Sequence, residues 1–261
     1  MLFRSPETTY YDAGYLVLNN SRIENYDGEG RGTVNMQEVL NQSLNTGVSY
    51  VVKQMGNEKF SDYMYAYGLG EPSGIDLPND THGLVSNLES PRDIEHATAS
   101  YGQGIAMTPM SMVRALATLA NGGKLITPHV VTKVDYDVGL SKKTEYENAP
   151  RVLKESTSEE ISRMLTTVVD DALLGGTVKL DRHSVAAKTG TAQISSDEGG
   201  YYEDQFLHTF FGYFPSYDAK FLVFLFNRNP VGARYASQTL TTPFMDITEF
   251  LVNYYDIPPD R

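Results

Sequence analysis

Lys188-Thr189-Gly190-Thr191-Ala192-Gln193 sets a cation and two hydroxyls on a run of small residues, the composition of a strand against which a carboxylate-bearing substrate can lie. Far upstream stands Ser43-Leu44-Asn45, a hydroxyl and an amide two positions apart. Asn35 followed three residues later by Glu38 marks a capped helix start, with Met36, Val39 and Leu40 as its apolar face and an end near Ser43. A second helix opens at Thr46-Gly47 and carries Val48, Val51, Val52 and Met55 at helical spacing. The triplet therefore falls in the joint between two helices, where side chains are presented that a helix would hide.

The segments around these two stretches predict the rest of the architecture. Residues 57–67 read as a helix stopped by Gly68 and Gly70, and residues 70–93 as a long irregular excursion with Pro72, Gly74, Pro78, Asn79, Asp80 and Gly83. Thr108-Pro109 opens a buried helix that Asn121-Gly122-Gly123 stops. Residues 130–134 predict a short strand; Thr157 with Glu160 opens a helix through about Leu174, closed by Gly175-Gly176. Residues 185–193, 208–214 and 220–226 are strand patterns, and the unbroken apolar run from Phe221 to Phe226 predicts a strand covered on both faces. Thr242-Pro243 opens a terminal helix to about Tyr255; residues 1 to about 33 are rich in Tyr, Asn and Gly, and Asp27-Gly28-Glu29-Gly30-Arg31-Gly32 among them reads as a turn-laden loop. The fold class is α/β of the α+β type, helices flanking an antiparallel sheet, in a single domain over residues 1–261 with no repeat or linker.

Composition narrows the function. The 261 residues, 41% of them hydrophobic, suffice for a substantial core. A formal charge of -12 repels a phosphate backbone, so nucleic acid is not expected as a partner. With no cysteine there is neither a disulfide nor a thiolate nucleophile. No run approaches a membrane span, and Met1-Leu2-Phe3-Arg4-Ser5-Pro6 lacks the apolar core of a signal peptide.

Other candidate clusters read as ordinary structure. Gly28-x-Gly30-x-Gly32 and Gly102-x-Gly104 lack the strand, spacing and later acidic residue of a dinucleotide site, and read as turns. His82, His96, His129, His183 and His208 show no metal spacing, and Glu95-His96 reads as a surface pair. Asp76 and Asp80 lack the alternating oxygens of a calcium loop. No metal and no cofactor is expected. Tyr63, Tyr65 and Tyr67 read as partly buried in the domain rather than as a peptide groove.

A Lys-Thr-Gly arises by chance in roughly a few per cent of chains this long, and a Ser-x-Asn in most. Their order and their setting on a strand and a helix joint make them specific. Together with a Ser-x-x-Lys nucleophile they form the signature of penicillin-binding proteins and serine β-lactamases. With Asn25-Tyr26-Asp27-Gly28, Tyr67-Gly68-Leu69-Gly70, Tyr101-Gly102-Gln103-Gly104, the Thr108-Pro109 helix and Ala120-Asn121-Gly122-Gly123, the chain resembles a class B penicillin-binding protein from about residue 10 to its end. That resemblance implies the transpeptidase and serine β-lactamase-like fold, and a D,D-transpeptidase that cross-links peptidoglycan through an acyl-serine. It implies peptidoglycan stem peptides ending in D-Ala-D-Ala and β-lactams as ligands, and membrane-embedded cell-wall synthesis proteins as partners. It also implies an extracytoplasmic location, with an N-terminal transmembrane anchor outside this sequence.

The resemblance further implies roles. Ser43 relays a proton, Asn45 grips a substrate amide, and Lys188 supports the relay and attracts the terminal carboxylate. Thr189 and Thr191 donate hydroxyls to that carboxylate, Gly190 leaves the strand bare for substrate, and the Thr191 N–H forms half of an oxyanion hole. No serine in the sequence has a lysine three residues later. Ser49 with Lys53 and Ser184 with Lys188 are four apart and are not replacements. The reading is thus a partial domain whose nucleophile lies outside these residues, unable to react alone. Its alternatives are a non-catalytic scaffold or pseudoenzyme of cell-wall assembly, and a D,D-carboxypeptidase or β-lactamase-like hydrolase.

Overall fold

The front of the chain, where the sequence reading placed only a loop at residues 27–32, folds into strands. In the computed structural model, which describes residues 5–144 and 149–261, β1 (Thr9–Asp12), β2 (Tyr15–Leu18), β3 (Ser21–Glu24) and β4 (Gly32–Asn35) form two antiparallel pairs, β1 with β4 and β2 with β3. Met1-Leu2-Phe3-Arg4, part of the stretch read against a signal peptide, lies outside the described residues. Tyr10 and Asp12 of β1 point inward while Thr9 and Tyr11 face water, a strand alternation masked in the sequence because one inward residue is a carboxylate.

Asp12 is only 1% exposed. Burying a carboxylate is tolerated only when its lone pairs are filled. Asp12 accepts from the Gly14 N–H (2.9 Å), the Arg31 N–H (3.1 Å), Asn25 Nδ2 (2.9 Å) and Thr46 Oγ1 (2.8 Å). Thr46 N donates in turn to Asn25 Oδ1 at 3.2 Å, and the Tyr10 hydroxyl meets Thr46 Oγ1 at 3.1 Å. The front strands are thereby tied to the helix that follows.

Asn35 caps α1 (Met36–Asn41) by accepting from the Glu38 N–H at 3.0 Å. α2 (Asn45–Met55) begins one residue earlier than expected, and α3 (Asn57–Ala66) follows the predicted span. The excursion after α3 contains a 3₁₀ turn at Ser86–Glu89 and leads into α4 (Asp93–Ala99), which the sequence reading did not anticipate. His96, expected at the surface, is 2% exposed inside α4, its ring nitrogens facing the Arg92 and Leu88 carbonyls at 3.0 and 3.2 Å. α5 (Pro109–Ala120) starts where Thr108 accepts from the Ser111 N–H at 3.0 Å.

The strand expected at 130–134 is displaced. β5 (Lys133–Asp135) pairs with β6 (Ser141–Lys143) as an exposed hairpin, because the Val130 and Val131 N–H groups are taken by the Asp76 carboxylate at 2.9 and 2.8 Å. α6 (Glu155–Thr167) continues through a π turn at Val168–Ala172 into a 3₁₀ turn ending at Gly176.

The antiparallel sheet has the order β7-β8-β9, with β7 (Ala186–Ser195), β8 (Tyr201–Phe214) and β9 (Phe221–Arg228). One face carries Val185, Ala187, Phe210 and Phe214 against Leu240, Phe244, Met245 and Val252 of α7 (Ala236–Tyr254). Gly212 permits this approach, since a Cβ there would meet Phe244 Cζ at 2.4 Å and Ala187 Cβ at 2.6 Å. The opposite face packs Ala186 and Tyr213 on Leu165, Ile161 and Leu119 of α6 and α5. β9 is packed on both faces as the apolar run predicts, with Phe221, Val223 and Leu225 against the α7 core and Leu222 against the other, while Phe226, 55% exposed, falls outside that cover.

α7 also begins six residues before the expected Thr242, because Gln238 Oε1 accepts from the Arg234 and Tyr235 N–H groups (3.1 and 3.0 Å) and so caps an earlier start. Pro243 lies inside the helix. No helix among the described residues is long and apolar enough to cross a membrane.

The buried carboxylate yields a test. Asp12→Ala leaves several buried donors without an acceptor and should lower unfolding free energy by on the order of 3 kcal/mol. Urea unfolding measures it, and a loss below about 1 kcal/mol would remove the network from its anchoring role.

Candidate active site

The joint between α1 and α2 is built to present Ser43. The Ser43 N–H donates to the Leu40 carbonyl (3.3 Å) and the Leu44 N–H to the Val39 carbonyl (3.0 Å), which turns the chain sharply. Leu44, 1% exposed, anchors the turn in the core. Ser43 is left at φ +53°, a left-handed conformation costing a non-glycine residue roughly 1 kcal/mol, and its side chain faces out. Such a conformation persists only where its surroundings enforce it, as Leu44 and the turn bonds do here.

Asn45 is the first residue of α2, and its Nδ2 donates to the Glu24 carbonyl at the end of β3 (2.9 Å). One amide hydrogen is thus committed to structure. Thr46, the next residue, belongs to the Asp12 network, so the first turn of α2 is held on two sides.

β7 approaches from the sheet. Strand alternation places Ala186, Lys188 and Gly190 toward α5 and α6, and Ala187, Thr189 and Thr191 toward α7. Lys188 Nζ donates to Ser43 Oγ and also reaches the Thr189 carbonyl at 3.2 Å. Ser43 and Lys188, 145 positions apart in sequence, are thereby in direct contact. The Lys188 side chain retains some solvent-accessible surface, but its ammonium sits deep among protein atoms, and burial lowers its pKa to about 8. It is mostly protonated at pH 7, with a proton that is easier to give up than that of an ordinary lysine.

Thr191 is exposed, and its Oγ1 accepts from the Ala236 N–H at the start of α7 (2.9 Å), leaving the hydroxyl proton to donate elsewhere. Gly190 has a reason beyond substrate approach: a Cβ there would meet Thr209 Oγ1 on β8 at 2.5 Å. The structure therefore brings Ser43, Asn45 and Lys188 to one place, and extends it along β7 through Thr189, Gly190 and Thr191.

Neither four-spaced serine is a rival nucleophile. Ser49 is buried in α2 and donates to the Asn45 carbonyl at 2.8 Å. Ser184 is buried beside the Asp260 carboxylate, and its Oγ accepts from the Ser216 N–H at 2.8 Å.

Other residues frame the site without having been read as site residues. Tyr26 and Tyr235 meet edge-on with centroids 5.7 Å apart, joining the chain just past Glu24 to the residue before Ala236. Tyr201 accepts from the Gly104 N–H at 2.8 Å. Tyr26 and Gly104 were legible only as members of the quoted motifs; nothing in the sequence singled out Tyr201 or Tyr235.

The model of the penicillin binding protein transpeptidase domain matches residues 3–249. The chain belongs to this family. Stage V sporulation protein D of Bacillus subtilis is 30% identical over 239 residues, covering 90% of this chain and 36% of the relative. A peptidoglycan D,D-transpeptidase FtsI homolog of Mesostigma viride is 25% identical over 278 residues, covering 96% of this chain and 46% of the relative. The chain thus spans less than half the length of either. Among solved structures, penicillin binding protein 3 of Mycobacterium tuberculosis in its apo form superposes with a TM-score of 0.88 at 24% identity, covering 98% of this chain and 60% of that one. The same protein has been solved complexed with ampicillin. The transpeptidase fold expected from the sequence is therefore the fold observed.

Burial of Lys188 has a stability consequence with a definite sign. Its folded pKa of about 8 lies below the ordinary lysine value of 10.5, so the unfolded chain binds the extra proton between those limits and stability rises with pH there. Lys188→Met should therefore stabilise this transpeptidase domain below pH 8, by on the order of 2 kcal/mol. That advantage should shrink as pH climbs toward 10.5, and thermal melts of both proteins across this range check it. A constant difference would mean the ammonium is not desolvated.

Proposed function

We propose that this chain is the C-terminal, larger part of the transpeptidase domain of a peptidoglycan D,D-transpeptidase, and that its cleft holds the terminal carboxylate of a D-Ala-D-Ala stem peptide or of a β-lactam. The observation that carries the reading is the direct approach of Lys188 Nζ to Ser43 Oγ beside the uncovered edge of β7. An ammonium of lowered pKa next to a hydroxyl suits proton relay, and the same charge attracts a carboxylate laid along the strand.

In this mechanism Ser43 passes a proton to the amine of the departing D-alanine. Asn45 positions the substrate amide with the amide atoms not engaged by Glu24. Thr189 and Thr191 donate hydroxyls to the carboxylate, and the Thr191 N–H contributes one donor to the oxyanion hole. The attacking serine, with its own lysine three residues on, comes from a segment outside this sequence, and its N–H completes the hole. Family membership supports an extracytoplasmic setting, with membrane-embedded cell-wall synthesis proteins as partners and an N-terminal transmembrane anchor upstream.

Two measurements test this. Incubated with benzylpenicillin, the chain should give no covalent adduct by intact mass, and an adduct on Ser43 or any other serine would overturn the placement of the nucleophile elsewhere. In an NMR titration, diacetyl-Lys-D-Ala-D-Ala should shift the Thr191 and Lys188 signals, and Lys188→Met should weaken that binding about tenfold or more. A non-catalytic scaffold is the second reading, favoured by the absence of any Ser-x-x-Lys. It predicts no D-Ala-D-Ala binding at Lys188.

A further inference from the structure

β7 is a terminal strand of its sheet, so the backbone edge running from Thr189 to Ile194 has no strand partner among the described residues. Such an edge can accept an extended peptide as an additional strand. Two contacts bracket it. At the near end, Lys188 reaches across to Ser43. At the far end, Ser195 pairs with Tyr201 across a tight turn, in which the Ser196 N–H donates to the Gly200 carbonyl (3.0 Å) and the Gly199 N–H to the Ser196 carbonyl (3.1 Å). From there the Tyr201 hydroxyl accepts the Gly104 N–H at 2.8 Å.

The partner of this second contact is itself held firmly. The Gly104 carbonyl accepts from Asn87 Nδ2 at 2.7 Å, so that residue is fastened through both its N–H and its C=O. Gly104 has φ +77°, and a Cβ would meet Asn87 Nδ2 at 2.7 Å, so the close fit requires glycine. Its loop is fixed to the end of α4 by the Gly102 N–H on the Ala99 carbonyl (3.1 Å) and the Gln103 N–H on the Thr98 carbonyl (3.0 Å). The turn side is braced as well, since Gln193 Nε2 donates to the Tyr202 carbonyl at 3.1 Å. Tyr201 therefore joins two supported elements, the β7–β8 turn and the loop after α4, at the Ser195 end of β7.

We propose that Tyr201 is a specificity-determining residue, forming with Gly104 a clasp that limits how far a donor peptide can extend along β7. The proposal rests on the reading of β7 as the strand that receives the D-Ala-D-Ala terminus. With the carboxylate near Thr191, the four positions to Ser195 span about 13 Å at about 3.3 Å per residue. That length fits roughly three or four extended residues ahead of the terminus. A short stem peptide lies within it; a long polypeptide with the same terminus meets the clasp.

The test titrates the chain, followed by NMR, with two peptides sharing a C-terminal D-Ala-D-Ala: diacetyl-Lys-D-Ala-D-Ala and an eight-residue peptide extended at its N-terminus with alanine and glycine. The long peptide should bind the unsubstituted chain about tenfold more weakly, and Tyr201→Ala should reduce that gap to about twofold. Tyr201→Phe keeps the ring and loses the acceptor, and should speed exchange of the Gly104 amide about tenfold or more. An unchanged length preference in Tyr201→Ala, or unchanged Gly104 exchange in Tyr201→Phe, overturns the clasp. If neither peptide binds, the assignment of the D-Ala-D-Ala site fails and the length preference with it, while the exchange measurement still decides whether the bond exists in solution.

Discussion

The buried Asp12 carboxylate is the constraint on which the geometry of the cleft rests. Removed from water, it has to be satisfied by donors, and the donors it finds are the backbone of the following turns, Asn25, and the Thr46 hydroxyl in the first turn of α2. That last bond fixes where α2 begins. Asn45 is then placed within reach of the Glu24 carbonyl, and Ser43 is forced into a left-handed turn just before the helix. A buried polar network therefore determines the direction in which Ser43 points.

The sheet supplies the opposite wall by a different kind of force. Packing of Ala187, Phe210 and Phe214 on Phe244 and its neighbours in α7 sets the position of β7, and the alternation of the strand turns Lys188 to the other face. Small residues make this close packing possible, notably Gly212 beneath Phe244 and Gly190 beside Thr209. Lys188 is then held where its charge is partly stripped of water, which lowers its pKa to about 8. In a chain of formal charge -12, Lys188 sets a local positive charge on this strand.

Much of this was readable from local signals. The caps at Asn35 and Thr108, the helix over residues 57–66 and the strand patterns around residues 186–193 and 221–226 all express short-range rules of spacing and capping. Two of the misreadings share a cause, which is that a distant partner outweighed the local pattern. β1 looked polar because its inward Asp12 is satisfied by residues up to 34 positions away. Val130 and Val131 left the expected strand for a carboxylate more than fifty positions upstream. His96 was buried by carbonyls of its own neighbourhood and by Phe60, and α7 started early because Gln238 reached back to cap it.

The sequence by itself determined the chemistry available: Ser43 and Asn45 in a helix joint, Lys188-Thr189-Gly190 on a strand, no Ser-x-x-Lys, and the family to which such a set belongs. Those are properties of residue type and short spacing, which a linear chain displays openly. Only the tertiary structure decided that Lys188 touches Ser43, that its ammonium is desolvated, that Thr191 is oriented by the first amide of α7, and that the Tyr201 hydroxyl meets the Gly104 N–H. Each of these depends on groups 45 to 145 positions apart meeting at hydrogen-bond distance. No local pattern encodes such a meeting, because it is the sum of core packing and buried polar satisfaction over the whole fold.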